Sequence, residues 1–227
     1  MELYNNKKNL FYKLKKNSTK SWKKYTEHSF VKALGDGSLS SSVFKEYLIQ
    51  DYIFLQRFIK ILALSAYKAK STEDMNRSVD FIIAIKNELK LHIHYCKKFG
   101  ILKNKIFKAK ERKENKAYTN YVMKIGLKKS NLELFIALSP CVIGYGEIGY
   151  NLKKNKNWKK SKYSSWIKMY SSKEYQSVAK DNIEYLDRLY KINKKKNIKP
   201  LIKIFKKASK LEANFWQMAY NNCYNKK

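Results

Sequence analysis

Apolar side chains recur along this chain at alternating intervals of four and three. Phe44, Leu48, Leu55, Phe58 and Leu62 form the clearest series, and Asp51 occupies the one position where another apolar residue belongs. An α-helix turns once in about 3.6 residues, so positions spaced this way share one face. The segment is predicted helical, with Ser42 as its N-cap. Similar stripes cover about 73–99, 115–128 and 132–152. The stretch SSKEYQSVAKDNIEYLDRLY opens with a capping box from Ser171 to Glu174 and continues as an amphipathic helix. Pro200 starts a last helix through Leu201, Phe205, Ala208, Glu212, Phe215 and Ala219. Seven glycines and two prolines in 227 residues are few breakers, and no run reads convincingly as a strand. The expectation is an all-α bundle of seven or eight helices forming a single domain over residues 1–227.

Two of these stripes carry a charge where the pattern demands an apolar residue: Asp51 between Leu48 and Leu55, and Glu212 between Ala208 and Phe215. A carboxylate on a core-facing stripe is costly unless it is paired, hydrogen-bonded or set against a cavity. A buried ion pair with a lysine is the bland explanation for either one. Two such carboxylates on different helices point instead to a shared internal cavity. Leu134, Leu138, Cys141, Tyr145 and Ile148 follow the same spacing, so Cys141 and Tyr145 face inward together, and Tyr118 lies on a stripe with Val122 and Ile125. Alone, each of these is an ordinary core residue. With the two carboxylates they describe a polar, aromatic cavity among helices.

Composition narrows the function classes. The chain is 44% apolar, enough for a core, and its net charge is +32. That charge invites a nucleic-acid reading, but only four of the 50 basic residues are arginine (Arg57, Arg77, Arg112 and Arg188). The side chain best suited to bidentate base and phosphate contacts is nearly missing. The lysines are spread evenly, as expected of solubilising surface positions, and no nucleic-acid partner is expected. No uninterrupted apolar run reads as long enough to span a bilayer, and the N-terminus lacks a signal-peptide pattern, so a cytoplasmic protein without a membrane partner is expected. Cys96, Cys141 and Cys223 are spaced for neither a disulfide framework nor a C-x-x-C zinc site.

The stretch SPCVIGYGEIG, residues 139–149, contains a literal G-x-G-x-x-G. A dinucleotide fingerprint needs a strand before it and an acid about 20 residues after it; the flanking sequence offers neither, and the glycines are expected to permit close helix approach. A di-iron site would need histidines on facing helices. The chain has His28, His92 and His94, and although Glu88 and His92 share a face, no second histidine-bearing helix completes a set. A histidine hydrogen-bonded within the bundle is expected, with no metal.

At this point the residues resemble a known family. HSFVKALGDGSLSSSVFKEYLIQDYIFLQRFIKILALSAYKA is similar to the N-terminal signature of the TenA family, thiaminase II, whose members typically read HPFV…LGDGTL…F..YL.QDY.FL. The likeness continues through AYTNYV, LSPCVIGYGEIG, WIKMYSSKEYQ and EANFWQMAY, in order and at matching spacing. The resemblance implies a heme-oxygenase-like bundle without heme or other cofactor, assembled as a homotetramer. It implies hydrolysis of 4-amino-5-aminomethyl-2-methylpyrimidine to the hydroxymethylpyrimidine and ammonia, and cleavage of thiamine to the same pyrimidine plus the thiazole alcohol, in thiamine salvage. Carried over residue by residue, it implies Cys141 as nucleophile, Glu212 as general acid/base, Asp51 as the pyrimidine-binding carboxyl, and Tyr118, Tyr145 and Tyr170 as active-site tyrosines. Phe54 stands where the family often has tyrosine, so a hydroxyl contact is lost there while the apolar wall remains. The alternative is a fold-related metal oxygenase or cofactor-biosynthesis oxidase, against which the shortage of histidine speaks.

Overall fold

The computed structural model describes residues 2–193 and 197–224, and among them every regular element is helical. In chain order these are α1 (Glu2–Asn5), α2 (Leu10–Lys16), α3 (Thr19–Thr26), α4 (Ser29–Asp36), α5 (Ser41–Tyr67), α6 (Thr72–Lys98), α7 (Lys103–Phe107), α8 (Lys113–Lys128), α9 (Asn131–Ser139), α10 (Tyr145–Lys153), α11 (Ser164–Tyr170), α12 (Lys173–Ile192) and α13 (Lys199–Tyr224). A π-helical turn, Pro140–Gly144, joins α9 to α10, and a 3-10 turn, Trp158–Lys160, precedes α11. The all-α expectation holds. The segments outnumber the seven or eight anticipated because short helices such as α1, α3, α4 and α7 are too brief to show a periodic stripe. The helix predicted over 132–152 is interrupted by the π turn.

The chain divides into two compact units. The first comprises Met1–Leu39 and Phe135–Asn214. Its core is aromatic: the Trp22 ring stacks on Phe205 at 5.2 Å, and Phe11 and Tyr25 meet Trp22 edge-on, each at 5.5 Å. Such offset and edge contacts add to the large area these rings remove from water. The Leu10 amide, one of the orphan donors at the start of α2, donates to Asp187 on α12 at 2.6 Å. Gly37 ends α4 at φ 84°, a left-handed conformation glycine adopts without steric cost.

The second unit comprises Ser40–Leu134 and Phe215–Lys227. Its frame is the pair α5 and α6, each of 27 residues, or about 40 Å at 1.5 Å per residue. Neither contains glycine or proline. The N-cap of α5 is Ser40, two residues before the expected Ser42; the two hydroxyls lie 2.8 Å apart. Ser71 caps α6 by accepting from the Asp74 amide, and acidic Glu73 and Asp74 sit in its first turn with Lys97 and Lys98 in its last, matching the helix dipole. The stripe Phe44, Leu48, Asp51, Leu55, Phe58 and Leu62 is buried throughout. Helix α8 is braced on α5 by Asn115, which donates to the Gln50 carbonyl at 2.8 Å. The Lys68 ammonium satisfies the Gly126 and Lys129 carbonyls where α8 ends.

Two sequence expectations shift. The cap of α12 is Ser172, accepting from the Tyr175 amide at 3.1 Å, not Ser171. Among the described residues one helix, Asn131–Lys153, is long and apolar enough to cross a membrane, contrary to the reading of the sequence; it is buried within the protein, as a core helix is.

Candidate active site

Proline cannot sit quietly inside a helix: Pro140 has no N–H to offer the carbonyl four residues back, and its ring crowds it. Here that carbonyl belongs to Ile136, and Ser139 satisfies it from the side, its hydroxyl donating at 2.8 Å. The backbone widens into the π turn over the five residues Pro140–Gly144, a rare irregularity that re-aims side chains. Cys141 is its second residue. The thiol is buried and donates to the Leu138 carbonyl at 3.0 Å; a thiol needs a base before it can act as the nucleophilic thiolate. Tyr25 fixes the turn by donating to the Pro140 carbonyl at 2.9 Å, and Tyr175 by donating to the Val142 carbonyl at 3.2 Å.

The glycines that follow are packing residues. A Cβ on Gly144 would fall 2.6 Å from the Tyr25 ring, one on Gly146 2.7 Å from the Tyr4 hydroxyl, and one on Gly149 2.6 Å from the backbone of Tyr170. The last contact brings α10 against the end of α11 and sets Tyr145 near Tyr170, with ring centroids 5.0 Å apart. Trp166 packs beside both, 5.9 Å from Tyr145 and 4.3 Å from Tyr170. Gln176 locks this corner: its amide donates to the carbonyls of Gly146 and Tyr170 at 2.9 and 2.8 Å while its oxygen accepts from Tyr4. Sequence reading missed Trp166, Tyr175 and Gln176. Trp166 could have been found from its four-residue spacing to Tyr170; the other two have no local signal. Glu212, on α13, is almost wholly buried, so the first unit holds Cys141, Tyr145, Tyr170 and Glu212.

The second unit holds Asp51, Phe54 and Tyr118, all buried. Phe54 and Tyr118 stack at 5.6 Å with planes 15° apart, and Phe215 meets Phe54 at 6.1 Å. Asp51 faces a histidine and not a lysine: His92 Nδ1 lies 3.7 Å from Asp51 Oδ2. Burial pushes the Asp51 carboxyl well above the usual carboxylate range, the nearby Glu88 charge pushes it further, and a hydrogen bond with Tyr47 pulls it back. Burial raises Glu88 to about 7 and lowers His92, against a hydrogen bond with the Leu48 carbonyl. Cys96, buried beside this cluster, is pushed up to about 12 by burial and the Asp51 charge. Among the described residues no group of three or more His, Cys, Asp or Glu side chains is arranged to hold a metal. The side chain of Cys223 lies outside the described residues.

A buried thiol is chemically able to attack an electrophilic ring, and buried carboxyl groups and stacked aromatic rings are groups able to bind a flat, polar one. The TENA/THI-4/PQQC family matches residues 15–222, and the chain belongs to it. A Helicobacter pylori protein, an aminopyrimidine aminohydrolase, is 36% identical over 92% of this chain and 97% of its own. A crystal structure from Silicibacter sp. TM1040, described as a TenA family transcription regulator, superimposes with a TM-score of 0.85 at 34% identity, covering 92% of this chain and 95% of the other. A domain with a heme oxygenase-like fold from Shewanella denitrificans OS217, at 14% identity, superimposes with a TM-score of 0.74 over 93% of this chain and 92% of its own, a likeness of fold alone.

Proposed function

We propose that this protein is a hydrolase of the thiaminase II type. It removes ammonia from 4-amino-5-aminomethyl-2-methylpyrimidine to give the hydroxymethylpyrimidine, and it cleaves thiamine to the same pyrimidine and the thiazole alcohol. The observation that carries the reading is the π turn that sets the Cys141 thiol into the core, in a chain of the family to which the Helicobacter aminohydrolase is similar along nearly its whole length. The name of that relative favours hydrolysis over the oxidase alternative.

The leaving amine is attached through a methylene to an electron-rich ring, so direct displacement by water is slow. In the proposed reaction the Cys141 thiolate adds to the pyrimidine while Glu212 exchanges a proton with a ring nitrogen. The amine departs, an exocyclic methylene remains, and water adds to it before the thiolate leaves. Tyr145 and Tyr170 provide aromatic faces, Tyr118 a hydroxyl, and Phe54 an apolar wall. Asp51 holds the amino end of the ring. Parallel turnover of the aminopyrimidine and of thiamine, with ammonia and hydroxymethylpyrimidine both quantified, tests the reading; release of neither product defeats it.

The proposed active form is a cytoplasmic homotetramer. Met75, Val79 and Ile83 support an assembly: they repeat every four residues along α6 and are each more than 40% exposed. Light scattering coupled to size-exclusion chromatography distinguishes a tetramer from a monomer.

A further inference from the structure

The contact between Asp51 and His92 has a defined proton arrangement. His92 Nε2 lies 2.8 Å from the Leu48 carbonyl. A carbonyl can only accept, so Nε2 carries the hydrogen, and in the neutral ring Nδ1 is a bare lone pair. That lone pair faces Asp51 Oδ2 at 3.7 Å, with both side chains buried. Two lone pairs facing each other in a dry interior repel unless a proton lies between them. The separation is within ion-pair range and beyond a hydrogen bond, and contacts of this kind tighten when a ligand binds.

The surroundings decide where the proton sits. The titratable groups facing Asp51 are Tyr47 on α5 itself and Glu88, His92 and Cys96 on α6. From α8 and α13 this stretch of α5 receives rings: Tyr118 on Phe54, and Phe215 and Trp216 on Tyr47. Burial disfavours both the carboxylate and the imidazolium, and Glu88 adds a like charge against the carboxylate. Both effects act in favour of the neutral pair, with the proton on Asp51.

We propose that His92 is the positioning residue of the aminopyrimidine site: anchored by the Leu48 carbonyl, it accepts the proton of Asp51 and fixes that carboxyl so that its other oxygen faces the ligand's amino group. The inference rests on the aminopyrimidine reading. A neutral carboxylic acid gives its hydrogen to His92 and keeps a carbonyl oxygen with two lone pairs. Tyr47 and the ligand's exocyclic N–H fill these, and no unpaired charge is left buried. A site so arranged binds the neutral aminopyrimidine edge without first deprotonating anything.

The chain has three histidines, so the ring nitrogens can be assigned individually by nitrogen-15 NMR of the ligand-free protein. The expected spectrum shows His92 as the neutral Nε2–H tautomer at pH 7 and still neutral well below the ordinary histidine range. An imidazolium or an Nδ1–H tautomer at pH 7 overturns the proposal, whatever the protein's activity. Kinetics supply the second arm. H92F keeps the volume and removes both the hydrogen bond to Leu48 and the contact with Asp51; about a tenfold rise in KM for the aminopyrimidine is expected, with kcat within about twofold. H92Q can donate to Leu48 and accept from Asp51, and should restore KM to within about threefold of wild type. Equal effects of H92F and H92Q, or a loss confined to kcat, also overturn it. If H92F does not fold, the tautomer and the H92Q values still decide. Wild-type protein inert toward the aminopyrimidine would remove the proposed function and leave the tautomer result standing on its own.

Discussion

The two units hold their candidate residues by different physics. In the first, backbone geometry places the side chains: a proline opens the helix, Ser139 satisfies the carbonyl before the opened turn and Tyr25 one within it, and Gly149 lets α10 touch the Tyr170 backbone. In the second, α5 and α6 are unbroken, and the Asp51 carboxyl meets the side chains of Tyr47 and His92 and feels the charge of Glu88. The first arrangement is sensitive to volume, because packed backbone cannot yield cheaply. The second is sensitive to protonation, because buried charge is what its members avoid. The proposed covalent centre is therefore set by shape and the proposed recognition centre by proton count.

The hardest test of this contrast is at the covalent centre. C141A and E212Q are each expected to reduce ammonia release from the aminopyrimidine by about 10³-fold or more, with circular dichroism unchanged. Near-normal rates in either variant would end the assignment of chemistry to the first unit. Next comes volume. G149V places a side chain into the Tyr170 backbone 2.6 Å away; a destabilisation of ~2–3 kcal/mol is expected, read as a drop in Tm on the order of 5–10 °C that is similar at pH 5 and pH 8. A strongly pH-dependent loss would blur the distinction between the units.

The second unit should answer to pH instead. Burial raises Glu88 from its usual 4.5 to about 7 in the folded protein. A carboxyl whose folded value lies above its unfolded one binds its proton more tightly when folded. No cost is present below pH 4.5; the cost grows between 4.5 and about 7, and is complete above that. E88Q mimics the protonated form. It should match wild type in stability near pH 4 and exceed it at pH 8 by ~1–3 kcal/mol, read as a higher Tm. Equal stability at pH 8 would show that Glu88 is solvated. The smallest effect is expected at Phe54, whose ring stacks on Tyr118. F54Y adds a hydroxyl to the apolar wall and should change KM by no more than about tenfold, with kcat within about twofold.

Much of this was legible in the sequence. The spacing of four and three put Asp51, Cys141, Tyr145, Tyr118 and Glu212 on inward faces, and all five are buried. The glycines of the 139–149 stretch were read as packing, which the contacts of Gly144, Gly146 and Gly149 bear out. Tyr170 was reached only through the family resemblance, because it ends a helix too short to show a stripe. The caps of α5 and α12 were misplaced by two residues and one, since neighbouring serines compete for the same role and only the path of the chain selects among them.

Helical periodicity is a local property: which residues lie on one face follows from the backbone's own turn, and the sequence by itself determined the helices, their buried faces and the chemical types found there. It did not determine how those residues are held. The widening at Pro140 depends on Tyr25 and Tyr175 reaching its carbonyls from other helices, and the lock at Tyr170 depends on Gln176 and Tyr4. The upward shift of the Asp51 carboxyl depends on its burial and on Glu88, a helix away. Desolvation and cross-helix hydrogen bonds arise only when distant segments meet, and so the tertiary structure alone decided them.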